Sequence, residues 1–504
     1  MPHDNARQLS SARKREALVY GLDEQSSRLE MSLPMSALPY SVDALMRLCV
    51  RKARKGDDPT RVNPDVAFYF DKLADAREQY FSDRKLRVGN ETALRKLKEK
   101  YTKRRKKLRT KRDTAVQSAV QIGLTDFEST LASGAFSWGL KLGPTLKKPG
   151  SGASRQTFQI PSEVSRSLPH LQASAVVRKA AQLTPQSRNS VVRALQLSLR
   201  RYYEHSILKL DINDFFGSIP HARLLAKLRS NGTIDSITLE LVSALLVDFR
   251  RASGTARGVP QGVGLSSQLA EFYLSEFDRA IRSFEGVIFY SRYVDDIVIV
   301  IDSSANRALV DTRIGSELTG LGLVENRLKR QEIDTDADGC YATGRCSNGD
   351  QLEYLGYRFS NSGKTLSTMI SERRMKLREK RLELAFSSWG RHAPYALHPN
   401  HGLDALLTDR LRYLSGNIRL RHSKSNVVVG IYFSNSALDV ASPQLRELDA
   451  ALATLIKINA PRMTNELRDR LERISFEQGF REKSFLRANQ PRIDRIVACW
   501  RSTL

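Results

Sequence analysis

The sequence predicts an α+β fold in which strands and helices alternate in the middle of the chain and helical blocks flank them. Runs rich in β-branched and aromatic residues, such as Ile207–Ile212 and Val287–Ile301, are concentrated in the middle, and helical patterns separate them. The flanking blocks are helical in pattern and basic. We therefore expect a helical basic N-terminal extension over residues 1–125, an α+β core over residues 126–370 and a helical C-terminal region over residues 371–504.

The composition indicates a globular protein with a polyanionic partner. The 504 residues are 41% hydrophobic, and 81 Lys plus Arg against 55 Asp plus Glu give a net charge of +26. Nucleic acid is the favoured partner, because neutralising phosphates releases counterions. The apolar runs are too short to span a membrane and the start lacks the apolar core of a signal peptide, so we expect a cytoplasmic location and no membrane partner. The four cysteines are scattered without CxxC pairs, which indicates neither a zinc site nor a disulfide framework.

A dense basic stretch marks the end of the N-terminal block. Between Arg95 and Arg112, 12 of 18 residues are Lys or Arg, and Glu99 is the one acid. A merely solvated helix face is the alternative, but such a face normally carries mixed charges. We therefore predict RNA-backbone binding there. The residues chosen for this role are Arg104, Arg105, Lys106 and Lys107.

The elements of the core follow from periodicity and from turn residues. The expected strands are Arg155–Ile160, Ile207–Ile212, Gly286–Arg292, Ile297–Asp302, a short one around Arg330–Glu332, and Leu352–Phe359. The expected helices are two within Val164–His205 that separate near Thr184-Pro185, then His221–Arg229, Ile234–Arg250, one from the Gly258–Gly264 cluster through Phe284, and one near Ala305–Leu321. From Ser371 onward the pattern is mostly helical.

Two adjacent carboxylates interrupt the most apolar part of the core. Tyr293-Val294-Asp295-Asp296 lies between two strand-like runs, where a charge beside a buried sheet is costly unless a cation compensates it. We expect the four residues to form the tip of a β-hairpin that holds a divalent metal. A two-metal site needs a further carboxylate, and Asp211, at the end of another apolar strand, can supply it.

Three motifs resemble those of reverse transcriptases. The Tyr293–Asp296 turn resembles the YxDD catalytic turn, Asp211–Phe216 resembles the D-I-x-x-F-F motif of bacterial and group II intron enzymes, and Gly258–Gly262 is similar to G-x-P-Q-G. The resemblance covers roughly residues 140–359 and implies a right-hand polymerase with a fingers–palm core and a thumb-like helical region. Glu271 follows Leu269-Ala270, at a position where many relatives carry Asn. This Leu-Ala-Glu sequence is most like that of the stand-alone phage-defence-associated reverse transcriptases.

The resemblance also implies roles for individual residues. It implies that Asp211, Asp295, Asp296 and the backbone of Ile212 bind two Mg²⁺ ions, for which Mn²⁺ can substitute. Phe216 would block a ribose 2′-hydroxyl, the backbone N–H groups of Asp214 and Phe215 would cradle the triphosphate, Gln261 would contact the incoming nucleotide, and Lys148 and Arg155 would grip its phosphates. The alternatives are that Phe215 and Phe216 are core aromatics and that the two cations are ordinary surface residues.

Three further positions follow from the same resemblance. Lys329 matches the lysine that can protonate the pyrophosphate leaving group, and a plain helix-end lysine is the alternative. Leu355 and Gly356, in Tyr354–Tyr357, match the primer grip, with a simple strand kink as the alternative. Tyr293 joins them as a primer or template contact.

The expected function is RNA-directed DNA synthesis by two-metal phosphoryl transfer on a dedicated noncoding RNA in antiviral defence. The expected partners are that RNA template, the DNA product, deoxynucleoside triphosphates, and a second copy of the chain or another protein. The chain lacks the His/Cys-rich nuclease pattern of mobile intron enzymes that cut DNA. An RNA-dependent RNA polymerase and an RNA-binding scaffold with an idle palm are the alternatives.

Overall fold

The computed structural model describes most of the chain as two compact units. The described residues are 39–53, 57–147, 154–182, 187–200, 204–336, 341–342, 351–361, 365–391, 401–419, 428–439, 442–486, 488 and 490–503. One unit contains residues up to 141 together with 160–176, and the other contains 142–159 together with the chain from 177 onward. Lys148 and the helix break expected near Thr184-Pro185 lie outside the described residues. No helix in the described ranges is long and apolar enough to cross a membrane.

Long helices dominate the first unit. They are α1 Val42–Ala53, α2 Pro64–Lys85, α3 Glu91–Ala132 and the first part of α4 Val164–Ala180. Asn90 caps α3 by accepting a hydrogen bond from the N–H of Ala93 at 2.9 Å. The 42 residues of α3 make a rod of about 63 Å.

Helix α3 does not end at residue 125, where the composition changes. Its last turns bury Val120, Leu124 and Phe127, and Phe127 packs edge-on against Phe136 at 5.5 Å between ring centroids. The change at residue 125 is therefore from a basic, exposed part of the helix to an apolar, packed part of the same helix. Trp138 is fully buried next to Phe136 and closes this core.

A five-stranded antiparallel sheet organises the second unit. Its order is β4-β5-β3-β6-β7. The strands are β3 His205–Asp211, β4 Val287–Tyr293, β5 Asp296–Asp302, β6 Gln331–Thr335 and β7 Tyr341–Ala342. Residues 297–301 of β5 are fully buried, which explains why this run is continuously apolar instead of alternating. The strands predicted on either side of Tyr293–Asp296 are confirmed to within one residue.

Helices and a separate hairpin complete this part of the chain. The hairpin consists of β1 Lys141–Lys147 and β2 Ser154–Gln159. The helices are α5 Arg188–Leu199, α6 Phe215–Ser218, α7 His221–Ser230, α8 Ser236–Ser253, α9 Gly264–Arg282 and α10 Arg307–Gly320, followed by a 3-10 turn at Arg327–Lys329. The bounds of β2, α5, α7, α8, α9 and α10 agree with the sequence predictions to within a few residues, whereas β1 and α6 were not among the predicted elements.

The single strand predicted at Leu352–Phe359 is wrong, because the structure divides it into a hairpin. A three-stranded sheet of order β10-β9-β8 contains β8 Leu352–Tyr354, β9 Tyr357–Asn361 and β10 Leu366–Ile370. Leu355 and Gly356 form the two-residue turn and have φ values of 49° and 75°. Such a turn needs left-handed backbone at both central positions and usually has Asn, Asp or Gly at the first. Leu355 occupies that position here, so the sequence does not indicate a hairpin turn.

The C-terminal region is mostly helical, as predicted, and has its own core. Its helices are α11 Glu372–Gly390, α12 His401–Ser415, α13 Pro443–Asn459, α14 Asn465–Glu472, α15 Phe476–Glu482 and α16 Gln490–Val497. Phe386, Trp389, Phe476 and Trp500 are buried at its centre. A small sheet of β11 Asn417–Arg419 and β12 Val428–Gly430 was not predicted. Three-residue strands leave too short a pattern to detect.

Candidate active site

Sheet register brings the three predicted carboxylates together. Asp211, the last residue of β3, is directly paired with Asp296, the first residue of β5. Tyr293 is paired with Asp296 across the hairpin, so Val294 and Asp295 form the turn. The N–H of Ile212 donates to the carbonyl of Asp295 at 3.3 Å. Residues that are more than 80 positions apart in sequence thus meet at one edge of the sheet.

The carboxylates lie in an environment that opposes their ionisation. The pKa of Asp296 is raised to about 6, mainly by burial and also by the charges of Asp211 and Asp295, against the opposing effect of Lys209. Burial also raises the pKa of Asp295, followed by the charge of Asp211, while Lys329 and Arg155 oppose the rise. The site is therefore short of positive charge.

Two lysines and an asparagine contact this cluster. The Nζ atom of Lys329 lies 2.6 Å from Oδ2 of Asp211, and Nδ2 of Asn326 donates to the same oxygen at 3.3 Å. Lys209, on β3, places its Nζ 3.9 Å from Oδ1 of Asp296. The sequence analysis found Lys329 but missed Lys209 and Asn326. Lys209 could have been found, since it precedes Asp211 by two residues and shares its face of the strand.

The donor atoms fit a divalent cation. Carboxylate oxygens are the ligands that Mg²⁺ and Mn²⁺ prefer, and a divalent ion would relieve the mutual repulsion that raises the two pKa values. The side chain of Ile212 is buried, so its backbone carbonyl is the group it could contribute. In the part of the chain that the structure describes, no three His, Cys, Asp or Glu side chains are already arranged as a metal cage. The ammonium group of Lys329 instead neutralises Asp211.

The Tyr293–Asp296 turn, which we call the catalytic turn for its proposed role, is held by a buried arginine that was not predicted from the sequence. Arg292 donates from Nε and Nη2 to the two carboxylate oxygens of Asp278, both at 2.7 Å, and from Nη2 to Glu271 at 2.8 Å. Its Nη1 donates to the carbonyl of Val294 at 2.8 Å. The hydroxyl of Tyr290 donates to Asp278 as well. We call Arg292, Asp278, Glu271 and Tyr290 the turn clamp.

The turn clamp acts on a strained backbone. Val294 has a φ of 65°, which is unfavourable for a β-branched residue. The side chain of Arg292 is 3% exposed, so its contacts are shielded from water. The charges of Asp278 and Glu271 compensate its burial and raise its pKa. Helix α9, which carries both acids, therefore fixes the shape of the turn that presents Asp295.

The segment after Asp211 forms the short helix α6. Asp214 has a left-handed backbone with φ 38° and precedes α6. The N–H groups of Asp214 and Phe215 come at the start of this helix, where no intrahelical acceptor exists. The Phe215 ring is 2% exposed and belongs to the core, whereas Phe216 is half-buried. The Phe215 side chain is thus a core aromatic, which was the alternative stated for it.

The Gly258–Gly262 loop packs onto this short helix. The N–H of Val259 donates to the carbonyl of Phe216 at 2.8 Å, and the N–H of Gly258 donates to Ile219 at 2.7 Å. A Cβ on Gly258 would lie 2.9 Å from the carbonyl oxygen of Gly217, so only glycine fits. Nε2 of His221 lies 2.7 Å from the Gly258 carbonyl and supports the loop.

The same loop reaches the β1–β2 hairpin. The carbonyl of Gln261 accepts a hydrogen bond from the N–H of Phe158 at 2.7 Å. Arg155, on β2, has an exposed side chain whose charge lowers the pKa of Asp295. The hydrogen bond from Phe158 thus joins the loop that carries Gln261 to the strand that carries Arg155.

The predicted primer-grip turn is joined to the catalytic hairpin. The hydroxyl of Tyr354 donates to the backbone carbonyl of Asp296 at 3.3 Å. Arg188 donates from Nε to the Leu355 carbonyl at 2.8 Å, and Arg374 donates to the Gly356 carbonyl at 3.4 Å. Tyr293 is 39% exposed beside Asp295. Arg188 and Arg374 therefore hold the carbonyl groups of the turn, and Tyr354, the residue before it, contacts the backbone of Asp296.

The basic residues chosen for RNA binding lie on α3, in the other compact unit. Arg104, Lys106 and Lys107 are exposed, and Arg105 is half-buried. Arg104 donates to Oε1 of Gln79 on α2 at 2.8 Å, and the rings of Tyr80 and Tyr101 stack at 4.4 Å. These contacts make α2 and α3 a helical hairpin with a basic surface.

One family model matches the middle of the chain. Residues 146–359 match the family model described as "Reverse transcriptase (RNA-dependent DNA polymerase)". A search of the curated proteins found no match.

Solved structures that resemble the chain include three of yeast telomerases. Apo telomerase from Candida tropicalis truncated from its C-terminal domain has 13% identity and a TM-score of 0.35, over 71% of this chain and 87% of that one. The Candida tropicalis apo enzyme has 12% identity and a TM-score of 0.37, over 99% and 93%. Candida albicans telomerase with a fragment of telomeric RNA has 12% identity and a TM-score of 0.36, over 69% and 68%.

Proposed function

We propose that this RNA-directed DNA polymerase, whose reverse transcriptase domain spans residues 146–359, copies a dedicated noncoding RNA in bacterial antiviral defence. The observation that carries the polymerase chemistry is the pairing of Asp211 with Asp296 beside Asp295. The net charge of +26 and the basic surface of α3 support a long RNA partner. Glu271 supports the defence role through the resemblance described above.

The three carboxylates would hold the divalent ions of the reaction. Enzymes of this family use divalent metal ions, and we propose two Mg²⁺ ions, which would supply a polarised 3′-hydroxyl and charge neutralisation at the phosphates. Asp211, Asp295, Asp296 and the carbonyl of Ile212 are the proposed ligands. Lys329 would leave Asp211 as the ions bind and present its proton to the departing pyrophosphate.

The half-buried Phe216 is the proposed gate that selects deoxynucleotides. Its backbone is tied to Val259, so the ring position depends on the Gly258–Gly262 loop. A fixed ring beside the sugar would exclude a 2′-hydroxyl by contact. The backbone of Asp214 and Phe215, the side chain of Gln261, and the cations Arg155 and Lys148 are proposed to orient the base and triphosphate.

The primer terminus is proposed to lie between Tyr293 and the Leu355-Gly356 turn. Tyr354 links this turn to the backbone of Asp296, so a shift of the turn at the proposed primer site would also shift a proposed metal ligand. The remaining proposed partners are the DNA product and a second copy of the chain or another protein. A cytoplasmic location is part of the proposal, and the free thiols Cys49 and Cys499 suit a reducing compartment.

Replacing both turn carboxylates tests the chemistry. Asp295→Asn with Asp296→Asn keeps the side-chain shape but removes two negative charges, so extension of a DNA primer on an RNA template should fall at least 10³-fold, on the scale of removing principal electrostatic groups. RNA affinity in a filter-binding assay should stay within about twofold. Asp302→Asn, at the other end of β5, serves as the matched control and should extend primers normally. Retained synthesis in the double variant would overturn the metal assignment.

Nucleotide choice distinguishes DNA synthesis from RNA synthesis. Ribonucleotide incorporation by the wild-type enzyme at a rate similar to deoxynucleotide incorporation would favour an RNA-dependent RNA polymerase. Under the gate proposal, Phe216→Val should raise ribonucleotide incorporation at least tenfold while deoxynucleotide incorporation falls less. A protein that binds RNA but extends no primer with either nucleotide would instead be an idle scaffold.

A further inference from the structure

A cleft opens among the C-terminal helices, far along the chain from the carboxylates. Its volume is about 650 Å³, which is within the usual range for small-molecule sites. The end of α12, the junction of α14 and α15, the segment 484–486 and one arginine of α16 form its walls. We call it the C-terminal cleft. The lining residues that matter here are Arg412, Arg473, Gln478, Ser484, Phe485 and Arg492.

The C-terminal cleft has more positive than negative charge. Two of its four arginines are neutralised, since Arg492 donates to Asp409 at 2.7 Å and Arg470 donates to Glu466 at 2.9 Å. Arg412 and Arg473 are exposed and make no side-chain hydrogen bond or ion pair with the residues that the structure describes. Two guanidinium groups are thus available to an anion, and their planar donors suit phosphate.

An exposed aromatic ring lies in the same cleft. Phe485 is 45% exposed, and its ring rests 5.6 Å from that of Phe433. Backbone hydrogen bonds fix the segment, because the N–H of Leu486 donates to Asn417 at 2.8 Å and the N–H of Asn417 donates to Ser484 at 2.9 Å. A large apolar ring that is held in place yet open to solvent is a stacking surface for a nucleobase.

The floor of the cleft is closely packed. A Cβ on Gly479 would lie 2.0 Å from the carbonyl oxygen of Ser415, so α15 approaches the end of α12 as only glycine permits. Ser475 caps α15 by accepting from the N–H of Gln478 and donates to Asp449 at 2.8 Å. Arg473, two residues before this cap, and Gln478 are therefore attached to a fixed backbone.

We propose that the C-terminal cleft binds one unpaired nucleotide of an RNA, with its base on Phe485 and its phosphate between Arg412 and Arg473. Ser484 and the side-chain oxygen of Gln478 provide polar groups for the base edge, while Nε2 of Gln478 donates to Glu482 of the same lining at 2.9 Å. An acidic peptide would use the arginines but not the aromatic surface, which favours a nucleotide. The choice of RNA over DNA as the ligand rests on the proposed function. The presence of a nucleotide site in the cleft is argued from the cleft residues alone. The cleft would anchor the RNA outside the site of synthesis.

Site-specific crosslinking tests this proposal with the full-length protein. The probe is an eight-nucleotide oligouridine that carries one 4-thiouridine, irradiated without deoxynucleotides, and the affinity is read from the crosslink yield on the peptide that contains Phe485. Arg412→Gln with Arg473→Gln should weaken that affinity at least tenfold and reduce the salt slope by about 0.7, since the two arginines share one phosphate and each single-strand phosphate contact contributes about 0.7. Phe485→Leu should weaken it about tenfold without changing the slope, because it removes stacking but no charge.

A charge-matched control separates the cleft from general basicity. Arg446→Gln with Arg468→Gln also removes two exposed arginines, but these lie near Glu477 and Glu472 outside the cleft. This pair should change the affinity less than twofold. Melting temperatures verify that each variant folds.

Three outcomes would overturn the proposal. They are an equal loss in the control pair, crosslinks that avoid the Phe485 peptide, and equally effective competition by polyglutamate, which would indicate an acidic peptide. Because no nucleotides are added, the result does not depend on DNA synthesis. A wild-type protein that crosslinks here but extends no primer would contradict the proposed function alone.

Discussion

Asp296 lies in surroundings that favour its protonated form, and this has a consequence for stability. Burial and two like charges raise its pKa from 3.8 to about 6, so the folded protein binds this proton more tightly than the unfolded chain does. Stability from this group is gained as the pH falls from about 6 to about 4, and above pH 6 the ionised carboxylate costs stability. In EDTA, Asp296→Asn should therefore raise the free energy of unfolding by on the order of 2 kcal/mol at pH 7.5 and change it little at pH 4.

Urea unfolding at the two pH values measures this difference. Asp302→Asn is the comparison, because a hydrogen bond from Ser304 lowers the pKa of Asp302 and reverses the sign. That variant should lose stability at pH 7.5. A stabilisation by Asp296→Asn that is equal at both pH values would contradict the pKa assignment.

Lys329 and a divalent ion compete for Asp211. The ammonium lies 2.6 Å from the carboxylate oxygen that an ion would need. Lys329→Met keeps the apolar stem and removes the competing charge, so the Mg²⁺ concentration for half-maximal primer extension should fall several-fold. If Lys329 has its proposed role as the general acid for pyrophosphate, the maximal rate should also fall on the order of 10²-fold. Titration of extension rate with Mg²⁺ reports both, and an unchanged half-saturation would exclude the competition.

At the level of elements, α9 controls the catalytic turn through the turn clamp. Glu271→Gln removes one of the charges that compensate Arg292 but keeps the side-chain length. We expect the primer-extension rate to fall at least tenfold, since Val294 is then held less firmly, with the Km for deoxynucleotide changed less than twofold. Breaking a buried pair should also cost about 1–3 kcal/mol of stability, less than the full value because Glu271 is 31% exposed.

Glu276→Gln is the matched control on the same helix. Glu276 lies 3.3 Å from Lys227 and is 64% exposed, so its replacement should leave rate and stability nearly unchanged. Primer-extension time courses and thermal melting compare the rate and the stability of the two variants. If both glutamates behave alike, the turn clamp has no role in positioning Asp295.

Local patterns predicted the elements around the site well, and contacts distant in sequence explain what they missed. The YVDD hairpin, the strand before Asp211 and the helices between them follow from apolar runs and turn residues. The contact of Arg292 with Glu271 joins residues 21 apart on two elements, and that of Lys329 with Asp211 joins residues 118 apart. Periodicity cannot identify such partners. It also could not detect a hairpin turn that begins with Leu355 instead of glycine or asparagine.

For the molecule as a whole, the basic stretch of α3 should dominate RNA affinity. Replacing Arg104, Arg105, Lys106 and Lys107 by glutamine removes four positive charges from one turn of α3. RNA affinity at 150 mM salt should fall at least 10²-fold, and the salt slope should fall by up to about 3, at about 0.7 for each single-strand phosphate contact. Binding of a structured RNA measured between 50 and 300 mM salt gives both quantities.

An equal change of net charge elsewhere is the control for this variant. Glutamine at Lys376, Lys380, Arg446 and Arg468 removes four cations from the C-terminal helices, where each lies near a glutamate. The slope should then change by less than 1. If both quadruple variants have the same salt slope, RNA affinity depends on the total charge of the protein and not on the basic stretch of α3.

Val294 has a left-handed backbone in the catalytic turn, although a valine on its own disfavours that conformation. An excised hairpin peptide would relax it, because the valine alone favours extended φ values. We therefore expect the turn to open together with α9 in hydrogen exchange, because a local opening that separates the helix from Arg292 would release the turn while the buried sheet stays protected. Catalytic competence is thus a property of the folded helix–sheet interface and not of the four-residue motif.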